Sequence, residues 1–445
     1  MVHVVHDSAK RLRCLLRARL LTLAVLMSAV LVASCGGAHQ PTAATQGHAI
    51  APATVTTVAR GVAPTVAAPA GSALACQYGD PCFSPQQFRV AYGIQRLLDS
   101  GIDGRGETVT VVSPVPRPSE LPTDVRRDLE SFDRTFGLPA ARIEVVTTLG
   151  GSTSPWQADG EEVGDFEILH AVAPAATLRV VLIPSSWDQN PANATADMVA
   201  VMRLAVSHTD VASISWGIGE HYFTKAQVSE LHSILRAAEA DHVTVVGSSG
   251  DGGVYPTPRG WGGQIKEVSL PTADPLVLGV GGTALTADPK TGAYISEAVW
   301  PGSGGGFSHL FARPAYQDGV PGVTTRRGVP DVAGDASAVG ALALDFIEYG
   351  AASLQSYSGT SGSAPLWGGL VALADQYAHH DLGFINPAIY NIARSSSYHK
   401  AFHDITTGGS GYLATAGWDP VTGWGTPNAP VLIPLLARFV SRPRS

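Results

Sequence analysis

From residue 84 onward, continuous apolar runs rich in valine and isoleucine alternate with longer stretches in which apolar positions recur at helical spacing. The runs predict strands at Thr108–Ser113, Leu178–Ile183, Val211–Trp216, Val243–Ser248 and Leu276–Val280. The longer stretches predict helices at Asp124–Phe136, Asp159–Val172, Thr195–Ser207 and Lys225–Asp241, with another after Ser361. A strand with one wet face alternates apolar and polar residues, whereas one that is apolar throughout is covered on both faces. The pattern therefore predicts a single α/β domain over residues 84–440, a mostly parallel sheet flanked by helices on both faces. No internal repeat interrupts it.

Upstream, the pattern changes twice. Lys10, Arg11, Arg13, Arg17 and Arg19 form a basic leader ahead of the apolar segment Leu20 to Val32, which is too short for a comfortable membrane span. Small residues then lead to Cys35. Residues 1–35 have the form of an export signal with a lipobox, in which Cys35 becomes the lipidated N-terminus; an ordinary cleaved signal is the alternative. Residues 36–83 are rich in Ala, Thr and Pro with almost no charge, and read as a flexible tether ending in a Cys76–Cys82 loop. Cys14 leaves with the leader and Cys35 takes the lipid. The remaining pair predicts one local disulfide in an exported protein, and two cysteines are too few for a structural zinc site. The expected location is the bacterial cell envelope or the medium.

Composition sharpens this. Apolar residues make up 45% and charged residues 15%, which suits a compact exported enzyme rather than a disordered chain. The formal charge of −8 disfavours nucleic acid and anionic membrane surfaces as partners. Protein or peptide partners, a membrane tie only through Cys35, and a monomer are the expectation.

The chemistry centres on Ser361. It lies in the small-residue run Ser358-Gly359-Thr360-Ser361-Gly362-Ser363-Ala364-Pro365, which opens an apolar helix. Such a turn leaves room for a substrate carbonyl beside the hydroxyl, and a helix N-terminus favours developing negative charge. A serine hydroxyl needs a base. No histidine stands in a His-Gly-Thr context, and neither HExxH nor GxSxG occurs, which disfavours a zinc protease and an ordinary α/β-hydrolase. Glu161 and Asp165 are four residues apart on a predicted helix and so share a face. Crowded carboxylates raise the pKa of one of them, which is useful for acid–base work; with Glu162 and Glu167 nearby, a solvated acidic face is the alternative. Asp251, in Ser249-Gly250-Asp251-Gly252, ends a strongly apolar strand, where ligands meet an open α/β sheet. Alone it would read as a turn aspartate.

Taken together in order, these segments resemble the sedolisin family, the serine-carboxyl peptidases of subtilisin-like fold that work at acid pH. The matching elements are Glu161 and Asp165 followed by Ala173-Pro174, the Ser249–Gly252 turn, Gly279-Val280-Gly281-Gly282-Thr283, Ser303–Ser308 with Pro314-Ala315-Tyr316-Gln317, Val329-Pro330-Asp331-Val332, and Gly359-Thr360-Ser361. The resemblance implies that Ser361 is the nucleophile and Glu161 its general base. It implies that Asp165 orients that base, that Asp251 is the oxyanion donor, and that Trp216 supports the site. A calcium loop is implied as well, with side-chain oxygens from Asp404 and Asp419 and carbonyls from Ile405, Thr415 and Gly417; Thr415 stands where a glycine is usual. Two features depart from the family. Ser113 occupies the end of the first strand, where a glutamate linked to the catalytic Glu is usual. Only a low-complexity segment precedes Ser84, where most members have a long folded propeptide. An active endo- or tripeptidyl-type peptidase, an inactive surface-tethered binding protein on the same fold, and a Ser-His-Asp subtilisin are the readings that follow.

Overall fold

A computed structural model describes residues 54–57, 74–76, 81–114, 123–147, 157–158, 160–183, 190–256, 265–338, 342–348 and 351–440. The leader, Cys35 and most of the 36–83 segment lie outside the described residues. Among those described, the central sheet has nine strands: β1 Thr54–Thr57, β2 Thr108–Pro114, β3 Arg142–Thr147, β4 Thr177–Ile183, β5 Val211–Ile214, β6 Thr244–Ser248, β7 Val277–Ala287, β8 Tyr294–Val299 and β9 Val332–Asp335. Their order is β1-β3-β4-β2-β5-β6-β7-β8, with β9 also on β7. The run from β3 to β7 and the β7–β9 pair are parallel, while β1 and β8 are antiparallel.

The unbroken apolar strands follow from a core on each face of this sheet. Val109 and Val111 of β2, Leu178 and Val180 of β4 and Val246 of β6 face one core. Their neighbours Val112, Val181 and Val245 face the other. Successive residues of a strand point to opposite faces, so both parities must be apolar when both faces are covered. Helices α2 Gly160–Val172 and α5 Thr360–Ala378 supply the first core through Leu169, Val172 and Trp367. Helices α3 Pro191–Ala205 and α4 Lys225–Ala240 supply the second through Met198, Met202, Leu231 and Leu235. Helix α1, Val125–Phe136, buries Leu129 and Phe132 in the first core.

Local signals set the helix ends. Thr224 and Gln227 form a reciprocal capping box at α4. The Asn190 side chain accepts from the Asn193 N–H at 3.0 Å, with Pro191 in the first turn, so α3 starts four residues before the expected Thr195. Each predicted strand and helix is present with shifted ends.

Within the central sheet, four of the described strands were not anticipated. In β3 the polar Arg142 and Glu144 break up the apolar pattern. The other three are β8, β9 and β1. The last lies within residues 36–83: Thr54–Thr57 pairs with Glu144–Thr147, and Leu74–Ala75 pairs with Pro81–Cys82. These parts of residues 36–83 are held by backbone ladders. Cys76 and Cys82 are joined in the expected disulfide.

Candidate active site

The first turn of α5 presents Ser361, which is 3% exposed. Its Oγ donates to the Ser215 carbonyl at 2.9 Å, and Ser215 Oγ donates back to the Ser361 carbonyl at 3.3 Å. Ser215 follows the end of β5, so this exchange ties the nucleophile turn to the sheet. Trp216, the next residue, packs partly buried against the second core. The turn is fastened on its other side by the Gly359 N–H, which donates to the Ala336 carbonyl at 2.9 Å, just beyond β9.

Asp251 reaches this turn from the end of β6. Its Oδ1 accepts from the Thr360 N–H at 2.8 Å and from the Thr360 hydroxyl at 2.9 Å. The Gly250 N–H donates to the same threonine oxygen at 3.0 Å. Asp251 is exposed as a residue, while neighbouring protein atoms crowd its carboxyl group. Burial raises the Asp251 pKa, with the two Thr360 hydrogen bonds opposing.

Gly359 has φ +151, and a Cβ there would lie 2.9 Å from Asp251 Oδ2. Gly359→Ala is therefore expected to displace the Asp251 carboxyl and to strain the turn by about 1–3 kcal/mol. The outcome is a folded protein with turnover down at least ~10-fold, measured as kcat beside a thermal melt. Unchanged kcat would show that the carboxyl position does not matter.

Helix α2 lies alongside α5. A Cβ on Gly362 would stand 3.4 Å from Ile168 Cδ1, and one on Gly369 would stand 2.6 Å from Val172 Cγ1. The contacts run in step, so the two helices point the same way. The first turns of α2, with Glu161 and Asp165, therefore lie at the end of α5 that bears Ser361. Asp165 and Glu167 are both 0% exposed, so the solvated acidic face does not hold for them. Glu161 sits in α2 by its backbone, but its side chain lies outside the described residues, as do those of Glu162 and Ser113. His170, further along the same helix, is fully buried, 3.0 Å from Asp133 and 2.8 Å from the Pro139 carbonyl.

Sequence reasoning missed three participants. Thr360 holds Asp251, and the Ser215 carbonyl holds Ser361. Tyr357 packs where Gly164 of α2 meets Gly359 and Gly362. The position of Thr360 inside the motif was the one available signal. A backbone carbonyl and a packing tyrosine carry none.

The C-terminal loop gathers the expected calcium residues. The Gly417 N–H donates to both Asp404 oxygens at 3.1 Å, and the Thr415 N–H donates to Asp419 Oδ2 at 3.1 Å. Asp419, 1% exposed, also accepts from Val421 and Thr422, and burial raises its pKa. The Ile405 side chain is turned into a small apolar cluster with Val299 and Val421, which leaves only its backbone for a ligand role. The two carboxylates, one of them buried, face backbone N–H groups here and are oxygen donors of the kind a hard cation takes.

Comparison with known proteins agrees with this architecture. Residues 145–425 match the model of the subtilase family, Peptidase_S8. Kumamolisin of Bacillus sp. (strain MN-32) is 30% identical over 351 residues, 74% of this chain and 59% of kumamolisin. Sedolisin of Pseudomonas sp. (strain 101) is 30% identical over 322 residues, 67% of this chain and 53% of that protein. Human tripeptidyl-peptidase 1 is 28% identical over 337 residues, 69% of this chain and 57% of that protein. The chain thus spans between half and two thirds of the length of these relatives. The solved structure of Pseudomonas sedolisin, a serine-carboxyl proteinase complexed with pseudo-iodotyrostatin, superposes with a TM-score of 0.65 at 26% identity. The superposition covers 79% of this chain and 97% of that one. The chain therefore belongs to the subtilase family, among its sedolisin members.

Proposed function

We propose that this protein is a serine-carboxyl peptidase that hydrolyses peptide bonds of protein or peptide substrates at acid pH. The observation that carries this reading is the Asp251 carboxyl bonded through Thr360 to the turn that presents Ser361. Ser361 Oγ attacks the scissile carbonyl, and Glu161 takes its proton. Asp165 orients Glu161 and shares that proton. Asp251, protonated on Oδ2 while Oδ1 accepts from Thr360, donates to the tetrahedral oxyanion. At about pH 4 an imidazole is largely protonated and cannot serve as base, whereas a carboxylate still can.

Replacing Glu161 with Gln tests the assignment. Hydrolysis of a denatured protein substrate at about pH 4 should fall at least ~10²-fold, the usual contribution of a general base. Retained turnover would move the base elsewhere.

Calcium fits the C-terminal loop, where Asp404 and Asp419 would supply carboxylate oxygens and Ile405, Thr415 and Gly417 carbonyls. When bound, it would crosslink the 404–405 and 415–419 segments. Calcium is therefore expected to raise the thermal midpoint, and Asp419→Asn to remove that part of the gain. Unaltered calcium response in the variant would exclude the loop. Export with a lipid anchor at Cys35 completes the proposal. Among the described residues, no helix is long and apolar enough to cross a membrane.

A further inference from the structure

At the end of the sheet away from Ser361, three loops bring carboxylates together. Glu107 immediately precedes β2, Asp210 immediately precedes β5, and Asp381 follows α5. One oxygen of each lies within 4.8 Å of the others. Three oxygens held evenly by one ion at the calcium–oxygen distance of about 2.3–2.6 Å stand no more than about 4.5 Å apart, which falls within that limit. Helix α5 runs from Thr360 to Ala378 and Asp375 lies fourteen residues beyond Ser361, so at about 1.5 Å per residue this cluster stands roughly 20–25 Å from Ser361.

A fourth carboxylate stands behind the three. Asp375, in the last turns of α5, is 0% exposed. Its Oδ1 accepts from the Leu382 N–H at 2.9 Å, directly after Asp381, while its Oδ2 has no hydrogen-bond partner. The charges acting on Asp375 are those of Glu107, Asp381 and Asp210, all of its own sign. Asp210 Oδ2 accepts from the Thr108 N–H at 2.7 Å, which fixes its carboxylate in the cluster. The C-terminus of α5, which carries partial negative charge, points into the same region.

A buried carboxylate with an unpartnered oxygen and like charges as its strongest neighbours is costly unless a proton or a cation neutralises the group, and a cation is the neutraliser that all four carboxylates can share. We infer that Glu107, Asp210 and Asp381, backed by Asp375, form a second divalent-cation site. Its ligands are oxygens alone, and partial exposure of the rim admits water to complete the shell. Both features match calcium rather than a softer metal. The ion would pin the entry of β2 and β5 to the exit of α5.

Calorimetric titration of the full chain with calcium chloride at about pH 8, above the value of about 7 to which burial and the neighbouring carboxylates push Glu107, tests this. Asp381→Asn should lose one bound ion relative to the parent, or weaken it at least ~10-fold. It should keep its turnover, because the residue is remote from Ser361. Asp419→Asn separates the C-terminal loop: this variant should keep the ion that Asp381→Asn loses, whatever that loop binds. Glu107→Gln provides a second removal should Asp381→Asn fold poorly. Unchanged stoichiometry and affinity in both cluster variants would overturn the site. So would a Glu107→Gln protein with a raised melting temperature in chelator and an intact calcium isotherm, since the four groups would then merely share protons.

Discussion

Ser361→Ala is expected to lower peptide turnover by at least ~10³-fold while leaving the fold intact. The loss is large because the neighbouring hydroxyls are already engaged, Thr360 with Asp251 and Ser215 with the Ser361 carbonyl. The structural cost is small. The side chain is little larger than alanine, and the bond to the Ser215 carbonyl is worth about 1 kcal/mol. The turn itself is held by other groups, the Gly359 N–H on Ala336 and the Thr360 pair on Asp251. The check is kcat on a fluorogenic peptide beside a thermal melt. Full turnover in a folded variant would remove Ser361 from the chemistry. A parent protein with no turnover that still bound peptide would point to the inactive scaffold instead.

The second large effect concerns Asp251. Asp251→Ala is expected to lower kcat by ~10²–10³-fold with little change in KM, as when an oxyanion donor is removed. Asp251→Asn is more informative. Its amide can donate permanently, while its carbonyl can still accept from Thr360. The native carboxyl must be protonated to donate. Burial raises its pKa, so the donor survives above the ordinary aspartate range and is lost as pH climbs through the raised value. The asparagine variant should therefore keep part of its turnover and lose less of it on the alkaline side than the parent. The comparison is of kcat–pH profiles for the two proteins. Identical alkaline limbs would show that a different group titrates there.

Legibility in the sequence varied with the kind of information each residue carries. Strands β2, β4, β5, β6 and β7 are readable because burial on both faces keeps them mostly apolar at successive positions, with single buried exceptions such as Thr110, Arg179 and Ser213. Strand β3 hides Arg142 and Glu144 among its valines, and β1 lies in a low-complexity stretch whose four residues gain order only by pairing with β3. At the site, Ser361 and Asp251 are marked by glycine turns at element ends, and the structure brings the two together through Thr360. The α2 carboxylates are marked by a spacing that alone could not separate function from a wet surface; full burial of Asp165 and Glu167 decides against the surface for these two. The Glu107, Asp210 and Asp381 group could not be foreseen. Its members are isolated in the sequence and meet only because β2, β5 and the end of α5 converge at one edge.

The pH dependence of kcat/KM for the parent protein on one peptide bears most directly on whether a carboxylate serves Ser361. A carboxylate base and a protonated Asp251 predict a maximum within roughly pH 3–5 and a steep fall before neutrality. A rise through about pH 6.5 to a plateau near neutrality, the signature of an imidazole losing its proton, would contradict it.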